Sequence, residues 1–309
     1  MYSLVSVEEA FILQSPSSKV EILPGCGAIL NRWTVAREGE IFELIDGYES
    51  PEDFRQNCEA KGFRSAKLSP YVCRINNSGY HFEGVKYEIG KYKLSGVSIH
   101  GLVYNNSFRV INTLADEKAA ALVLQHNYDG SDRGYPFTYQ IQISYVLQFG
   151  NHIGITTLIT NTSKNHIPIA DGWHPYFSLG KPVDELYLQM QTNAMLKFND
   201  ALIPTGELVD YSDFNEPKLL ANQFFDNCFL LNKPLQGAAC RLINRLANIT
   251  LSVYPDNSYP YLQVYTPPHR QSIAIENLSA APDAFNNHIG LIILSPGESR
   301  SFTTQYVVS

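Results

Sequence analysis

The sequence predicts an all-β protein, one large antiparallel sandwich, and three observations carry that prediction. Apolar residues hold one parity along residues 139–149, runs rich in β-branched and aromatic residues recur between turn-forming clusters, and helical periodicity is nearly missing. With 309 residues the chain can remove roughly three quarters of its unfolded surface from water, so a core needs neither disulfide nor metal. No repeat, low-complexity tract or Gly/Ser/Pro-rich linker divides it, and residues 1–309 are expected to form a single domain.

The helix signal comes first along the chain. In SPEDFRQNCEAKG, residues 50–62, Ser50 is a cap, Pro51 fits a first turn and Gly62 ends the run. A strand is expected over residues 120–126. In YQIQISYVLQF, Tyr139, Ile141, Ile143, Tyr145, Leu147 and Phe149 share one side, which gives a long strand with one buried face. Gly150-Asn151 then reads as a two-residue hairpin turn into HIGITTLITN. Further strands are expected over residues 186–196, 240–254, 261–266, 271–276, 290–294 and 301–308. The separators YDGSDRGYP, YPDNSYP, TPPHR and SPGES are rich in turn formers. Strands without α/β alternation point to a sandwich with one or two short helices.

Composition excludes several roles. Charged residues total 23 basic and 30 acidic, a net of −7 with no basic block, which disfavours nucleic acid and anionic membrane as partners. Aromatic residues make up 12% of the chain and suit strands or surfaces that stack on sugars or bases. Five cysteines, at 26, 58, 73, 228 and 240, lack CxxC spacing and read as reduced thiols. The start, MYSLVSVEEAFILQSPSSKV, has no basic-then-apolar leader, and no apolar run approaches the ~20 residues that span a bilayer. A cytoplasmic location is expected.

Five segments can carry chemistry. In DGWHPYFSLG, His174 precedes Pro175, which forces extended backbone and places the imidazole at a strand end or entering loop among Trp173, Tyr176 and Phe177. Its role is a proton donor or acceptor near neutrality, or a core histidine bonded to backbone. In QSIAIE, strand parity sets Ile273 and Ile275 against Ser272, Ala274 and Glu276, so small residues flank a carboxylate that faces either a ligand or solvent. His100 precedes Gly101, whose missing side chain permits close backbone approach. Arg74, among apolar neighbours in SPYVCRINN, needs acceptors such as a carboxylate or sugar hydroxyls. Asp226 lies between aromatics in FDNCF, in a pocket or a solvated loop. A metal site from His100, His126 and His174 lacks HxH or HExxH spacing, and no metal is expected.

In this order, Arg74 in CRINN, His100 in HGLVYN, GYPFTYQIQISYVL, His174 in WHPYFSL, Asp226 in FDNCF, LQVYTPP and Glu276 in IENLSAAPDAFN, the chain resembles the aldose 1-epimerase family, the galactose-mutarotase-like proteins. The resemblance implies a β-supersandwich and interconversion of the α and β anomers of a free monosaccharide, without a cofactor. It implies Glu276 as general base on the anomeric hydroxyl and His174 as general acid on the ring oxygen. It implies Arg74, His100 and Asp226 as substrate-binding residues. Trp173, Tyr176 and Tyr104 are expected as aromatic walls. Close galactose mutarotases carry a second glycine after His-Gly where this chain has Leu102, a difference expected to reshape the pocket. Three alternatives accompany the resemblance. One is a hexose-phosphate mutarotase using Arg109 and Arg133; another is a glycosidase using Glu276 and Asp283 about 5–9 Å apart; the third is a non-catalytic carbohydrate-binding protein.

Overall fold

The parity of residues 139–149 governs the observed architecture. In the computed structural model, which describes every residue except Ser95, the strand Tyr139–Gln148 buries its odd residues and half-exposes most of its even ones. It pairs along its whole length with His152–Asn161. Phe149 departs from the expected parity: it is 91% exposed, in a three-residue link from Gln148 to His152. Gly150 and Asn151 both take positive φ there, 78° and 52°, the conformation their residue types tolerate best.

That pair belongs to a nine-stranded antiparallel sheet running from Arg109–Ala115 at one edge to Lys218–Leu219 at the other, with Ser299–Val308 near its centre. An eight-stranded sheet packs against it. Its order is Pro204–Asp210, Thr192–Phe198, Asp226–Leu231, Tyr261–Tyr265, Ile273–Leu278, Gly172–His174 and Ala66–Leu68, with Tyr176–Phe177 also pairing to Ile273–Leu278. Tyr145 meets Trp173 edge-on at 6.0 Å between ring centroids, and Phe177 meets Tyr306 at 5.3 Å. Buried apolar side chains from both sheets form one continuous cluster, so the interface between the sheets is the main core.

Several expected strands hold and several divide. Residues 186–196 become Tyr187–Met190 in the nine-stranded sheet and Thr192–Phe198 in the eight-stranded one, with the crossing at Gln191. Residues 240–254 are a hairpin, Cys240–Asn244 and Ile249–Pro255. The turn is set by Asn244, whose Oδ1 accepts from the backbone of Leu246 and Ala247. The expected helix is Pro51–Asn57, where the Ser50 hydroxyl accepts from the Asp53 amide at 3.1 Å. A second helix, Ala284–Asn287, is a single turn. The sequence reading places no strand in residues 3–43, which form a five-stranded sheet, while Arg74, expected at mid-strand, begins the short strand Arg74–Ile75.

The face of the eight-stranded sheet away from the main core is covered by the first helix and neighbouring loops. Phe54, Phe63, Tyr104, Ile99, Leu196, Cys228 and Ala280 form a second buried cluster there. The five cysteines are free and buried. Among the described residues, no helix is long and apolar enough to cross a membrane.

Candidate active site

Strand register brings His174 and Glu276 together. Gly172 pairs with Leu278, and beyond Pro175, Tyr176 pairs with Ala274; continued through the proline, that antiparallel register sets His174 opposite Glu276. Side chains directly opposite in such a pair have Cβ atoms about 5 Å apart. His174 Nε2 and Glu276 Oε1 lie at 3.3 Å, with both side chains almost fully buried. The reading of Glu276 as a solvent-facing edge residue is thereby overturned, and so is that of His174 as a histidine spent on backbone contacts.

Neighbouring strands fill the same face. Gln263 pairs with Glu276 and Cys228 with Gln263, while Asp226 pairs with Tyr265 one row along. The Gln263 Nε2 donates to Asp226 Oδ1 at 2.9 Å. From the other side comes a short ladder in which Ile99 pairs with Arg74. His100 follows it at φ 61°, its amide donating to Cys73 O at 2.8 Å. The His174 ring stacks on Tyr176, with centroids 5.1 Å apart and planes 13° apart, and meets His100 edge-on at 4.9 Å. These residues line a cavity of about 190 Å³, walled by Phe63, Tyr176, Phe198 and Tyr265. That is below the roughly 300–1,000 Å³ of sites for drug-sized ligands, and suits one small ring.

The cavity walls are rich in unused hydrogen-bonding capacity. His100 Nδ1, His174 Nδ1, Gln263 Oε1 and Glu276 Oε2 are buried without a partner. Each such atom costs on the order of 1–3 kcal/mol, which a ligand bearing several hydroxyls can offset. Arg74 forms no side-chain hydrogen bond or ion pair with the described residues, and lines the cavity beside Asp226 and Glu276. It is the cavity's one guanidinium.

Burial dominates the electrostatics. Burial, and then the charge of Asp226, hold the Glu276 carboxyl well above its ordinary range, against the pull of Arg74. Burial raises Asp226 too, with Arg74 and Gln263 opposing it. Burial, then His174 and Arg74, push His100 well down, and burial lowers His174 to about 4. Acid and base work at one pH needs a partly desolvated carboxylate beside an imidazole that keeps or shares a proton. Of the two groups the carboxyl therefore holds a proton more tightly than the imidazole, with burial the first cause at both and Asp226 the second at Glu276.

A stability prediction follows from His174. Its folded value lies below the unfolded one of 6.5, so its contribution is complete above pH 6.5 and is lost as the pH falls toward 4. At 1.36 kcal/mol per pH unit, that window amounts to about 3 kcal/mol. Glu276, whose carboxyl is raised, gives the opposite slope over the same range, so urea unfolding across pH 4 to 7 is expected to show the His174 slope in Glu276→Gln and to show it flattened in the double variant with His174→Gln. An equal slope in the double variant would assign the loss to other groups.

Other expectations fail at this site. Trp173 faces the opposite side of its strand, into the main core, where Lys67 Nζ lies 4.4 Å from its ring. Tyr104 packs on Phe63 and Tyr92 behind the cavity. Gly101, at φ 81°, does permit a close backbone approach, that of Ser69, whose O would lie 2.2 Å from a Cβ there. Leu102 is buried in the main core and does not line the cavity. Arg109 and Arg133 are exposed outside it. Asp283 also stands outside, accepting from the Asn76 amide and from Asn286, so the pair Glu276 and Asp283 is not available for glycoside cleavage. His126 is held by Asn106 and the Ser107 carbonyl away from the cavity. Among the described residues, no group of three His, Cys, Asp or Glu is placed to hold a metal.

The sequence reading missed Gln263, Tyr265, Phe63 and the rim carboxylate Glu59. Gln263 carried a signal, as the only polar side chain inside the apolar run YLQVY.

A family model described as Aldose 1-epimerase matches residues 10–307. The aldose 1-epimerase of Escherichia coli (strain K12) is 25% identical over 307 residues, covering 87% of this chain and 86% of that protein. The galactose mutarotase of Sus scrofa is 22% identical over 336 residues, covering 97% and 94%. In fold, the chain is similar to a galactose mutarotase-like protein from Clostridium acetobutylicum, at TM-score 0.88 and 16% identity, covering 100% and 98%.

Proposed function

Because the chain belongs to the aldose 1-epimerase family, we propose that it interconverts the α and β anomers of a free, unphosphorylated aldose by acid–base ring opening and reclosure. The observation that carries the proposal is the 3.3 Å contact of His174 with Glu276 in a cavity that also holds Arg74, His100 and Asp226. Glu276 takes the proton of the anomeric hydroxyl while His174 gives one to the ring oxygen. The C1–O5 bond breaks, the aldehyde turns about C1–C2, and the ring closes on the other carbonyl face as the two transfers reverse. Arg74 and His100 hold the ring oxygen and hydroxyls, and Asp226, oriented by Gln263, accepts from sugar hydroxyls.

The proton must first sit on His174. Hydrogen bonds from sugar hydroxyls to Glu276 Oε2, together with the nearby Arg74, favour the carboxylate and move the shared proton to the imidazole. Each positioned transfer typically contributes on the order of 10²- to 10⁴-fold.

Charge selects against phosphorylated sugars. Asp226 and Glu59 accompany a single guanidinium in the lining, so a phosphate dianion would meet like charge without a second cation. Polarimetry on fresh α-glucose and α-galactose is expected to show equilibration faster than buffer, with kcat/KM about tenfold or more below that level for glucose 6-phosphate. No acceleration for any free hexose or pentose would remove the proposal. Preference for the phosphate ester would remove the charge argument, and phenol released from aryl glycosides would mean cleavage instead.

A further inference from the structure

The cost of one buried charge network calls for a reason. Lys67 Nζ lies 2.6 Å from Asp171 Oδ1, and both side chains are fully buried between the two large sheets. The ammonium also donates to Thr157 Oγ1 at 3.0 Å and to Gly172 O at 3.2 Å, and Tyr259 donates to the same Asp171 oxygen at 2.6 Å. Replacing such a pair by well-packed apolar residues is often neutral or stabilising, so the ion pair is a poor candidate for a stability device.

Its position is more informative. Asp171 immediately precedes the strand that carries His174, and Lys67 is the ladder partner of Trp173 on that strand. The Asp171 amide donates to Ser279 Oγ and its carbonyl accepts from the Ser279 amide, both at 2.8 Å, just past the end of the Glu276 strand. Thr157 belongs to His152–Asn161 in the facing sheet. Beside Glu276, Asn277 points into the same layer and accepts from Thr304 at 2.8 Å. The direct ladder between the two catalytic strands, by contrast, is weak at the point that matters. Gly172 pairs with Leu278 before His174 and Tyr176 with Ala274 after it, and between them one bond remains, from the Ile275 amide to Pro175 O at 3.3 Å, which Pro175 has no amide to return.

We infer that the Lys67–Asp171 pair is a positioning device: from behind, it locks the His174 strand onto its neighbour Ala66–Leu68 and onto the facing sheet, and so sets where the imidazole stands relative to the Glu276 carboxyl. This rests on reading His174 and Glu276 as the acid–base pair. A polar lock has directional partners on three strands, whereas apolar packing would let the segment slide by fractions of an ångström, and misplacement by about 1 Å can cost on the order of 10²-fold in rate.

The test is the full-length triple variant Lys67→Met/Asp171→Leu/Tyr259→Phe, which removes every charge and the hydroxyl together. The expected result is an unchanged or higher melting temperature, kcat lower by about 10²-fold, and KM for the sugar within about threefold, since Arg74, His100, Asp226 and Gln263 are untouched. The acid limb of the pH–rate profile is expected to move, because His174 faces Glu276, His100 and Tyr176, with Arg74 and Asp226 in the same cavity, and its distance from Glu276 changes. A folded variant with kcat within twofold and an unmoved limb would overturn the inference. Should the triple variant fail to fold, Tyr259→Phe alone is expected to lower kcat about three- to tenfold at constant KM, and an unaltered kcat would overturn it. An NMR titration of the His174 ring, compared between wild type and variant without sugar, reads the same displacement independently of turnover. If the wild type shows no mutarotation, the functional reading fails, while identical titrations in a folded variant defeat the positioning role.

Discussion

Glu276→Gln is expected to lower kcat for mutarotation by about 10²- to 10⁴-fold while sugar affinity stays within a few-fold. The amide keeps the shape of the carboxyl and its contact with His174 Nε2, but it cannot accept the anomeric proton. What is lost is therefore realised in the transition state and not in ground-state binding. The variant also carries a stability signature. The folded carboxyl titrates well above its unfolded value of 4.5, so wild-type stability from this group is complete below pH 4.5 and drains away as the pH rises toward the folded value. Glutamine has no such loss. The inactive variant is expected to resist urea better than wild type near neutral pH, which separates lost chemistry from lost folding. Calorimetric sugar binding and urea titration check both parts, and a variant that equilibrates α-galactose at the wild-type rate would remove Glu276 from the mechanism.

The alternation of residues 139–147 specified a long strand of the nine-stranded sheet, and HPYF with the Glu276 segment pointed to two side chains that line the candidate site, because each depends on local periodicity or on a residue type rare in its setting. Trp173 shows information present but misread. In a strand, neighbours point to opposite faces, so placing His174 in the cavity already sends Trp173 to the core. In the N-terminal sheet the first strand, Ser3–Val7, is exposed on nearly every residue and has no buried side to produce a pattern, whereas Ser18–Leu23 does alternate and was overlooked. Arg109 sits on an edge strand exposed along its whole length, which no local feature distinguished from a pocket position. Lys67 was illegible for another reason. A lysine between Ala66 and Leu68 reads as surface, and only Asp171, 104 residues away in sequence, makes its burial tolerable. The lost information is long-range pairing, which also explains why the register joining His174 to Glu276 had to come from the fold.

His174→Gln is expected to cost a similar 10²- to 10⁴-fold in kcat, and the double variant with Glu276→Gln to be little worse than either single one, because the two side chains transfer protons in one step. The pH profile assigns the roles. The wild-type pair holds one proton between an acid limb at about 4, where the imidazole gains a second proton and the carboxyl can no longer serve as base, and a basic limb well above the carboxylate range, where the last proton leaves. Activity is therefore expected to persist well below pH 6.5, where a free imidazole would already be charged. Removing the imidazole should erase the acid limb from the residual activity. If the limb survives, another group must produce it. The nearest titrating neighbour is His100, whose ring meets His174 edge-on at 4.9 Å and whose Nδ1 is also buried without a partner. That outcome would move the proton donor to His100 and leave His174 as the surface on which the Glu276 proton is stored.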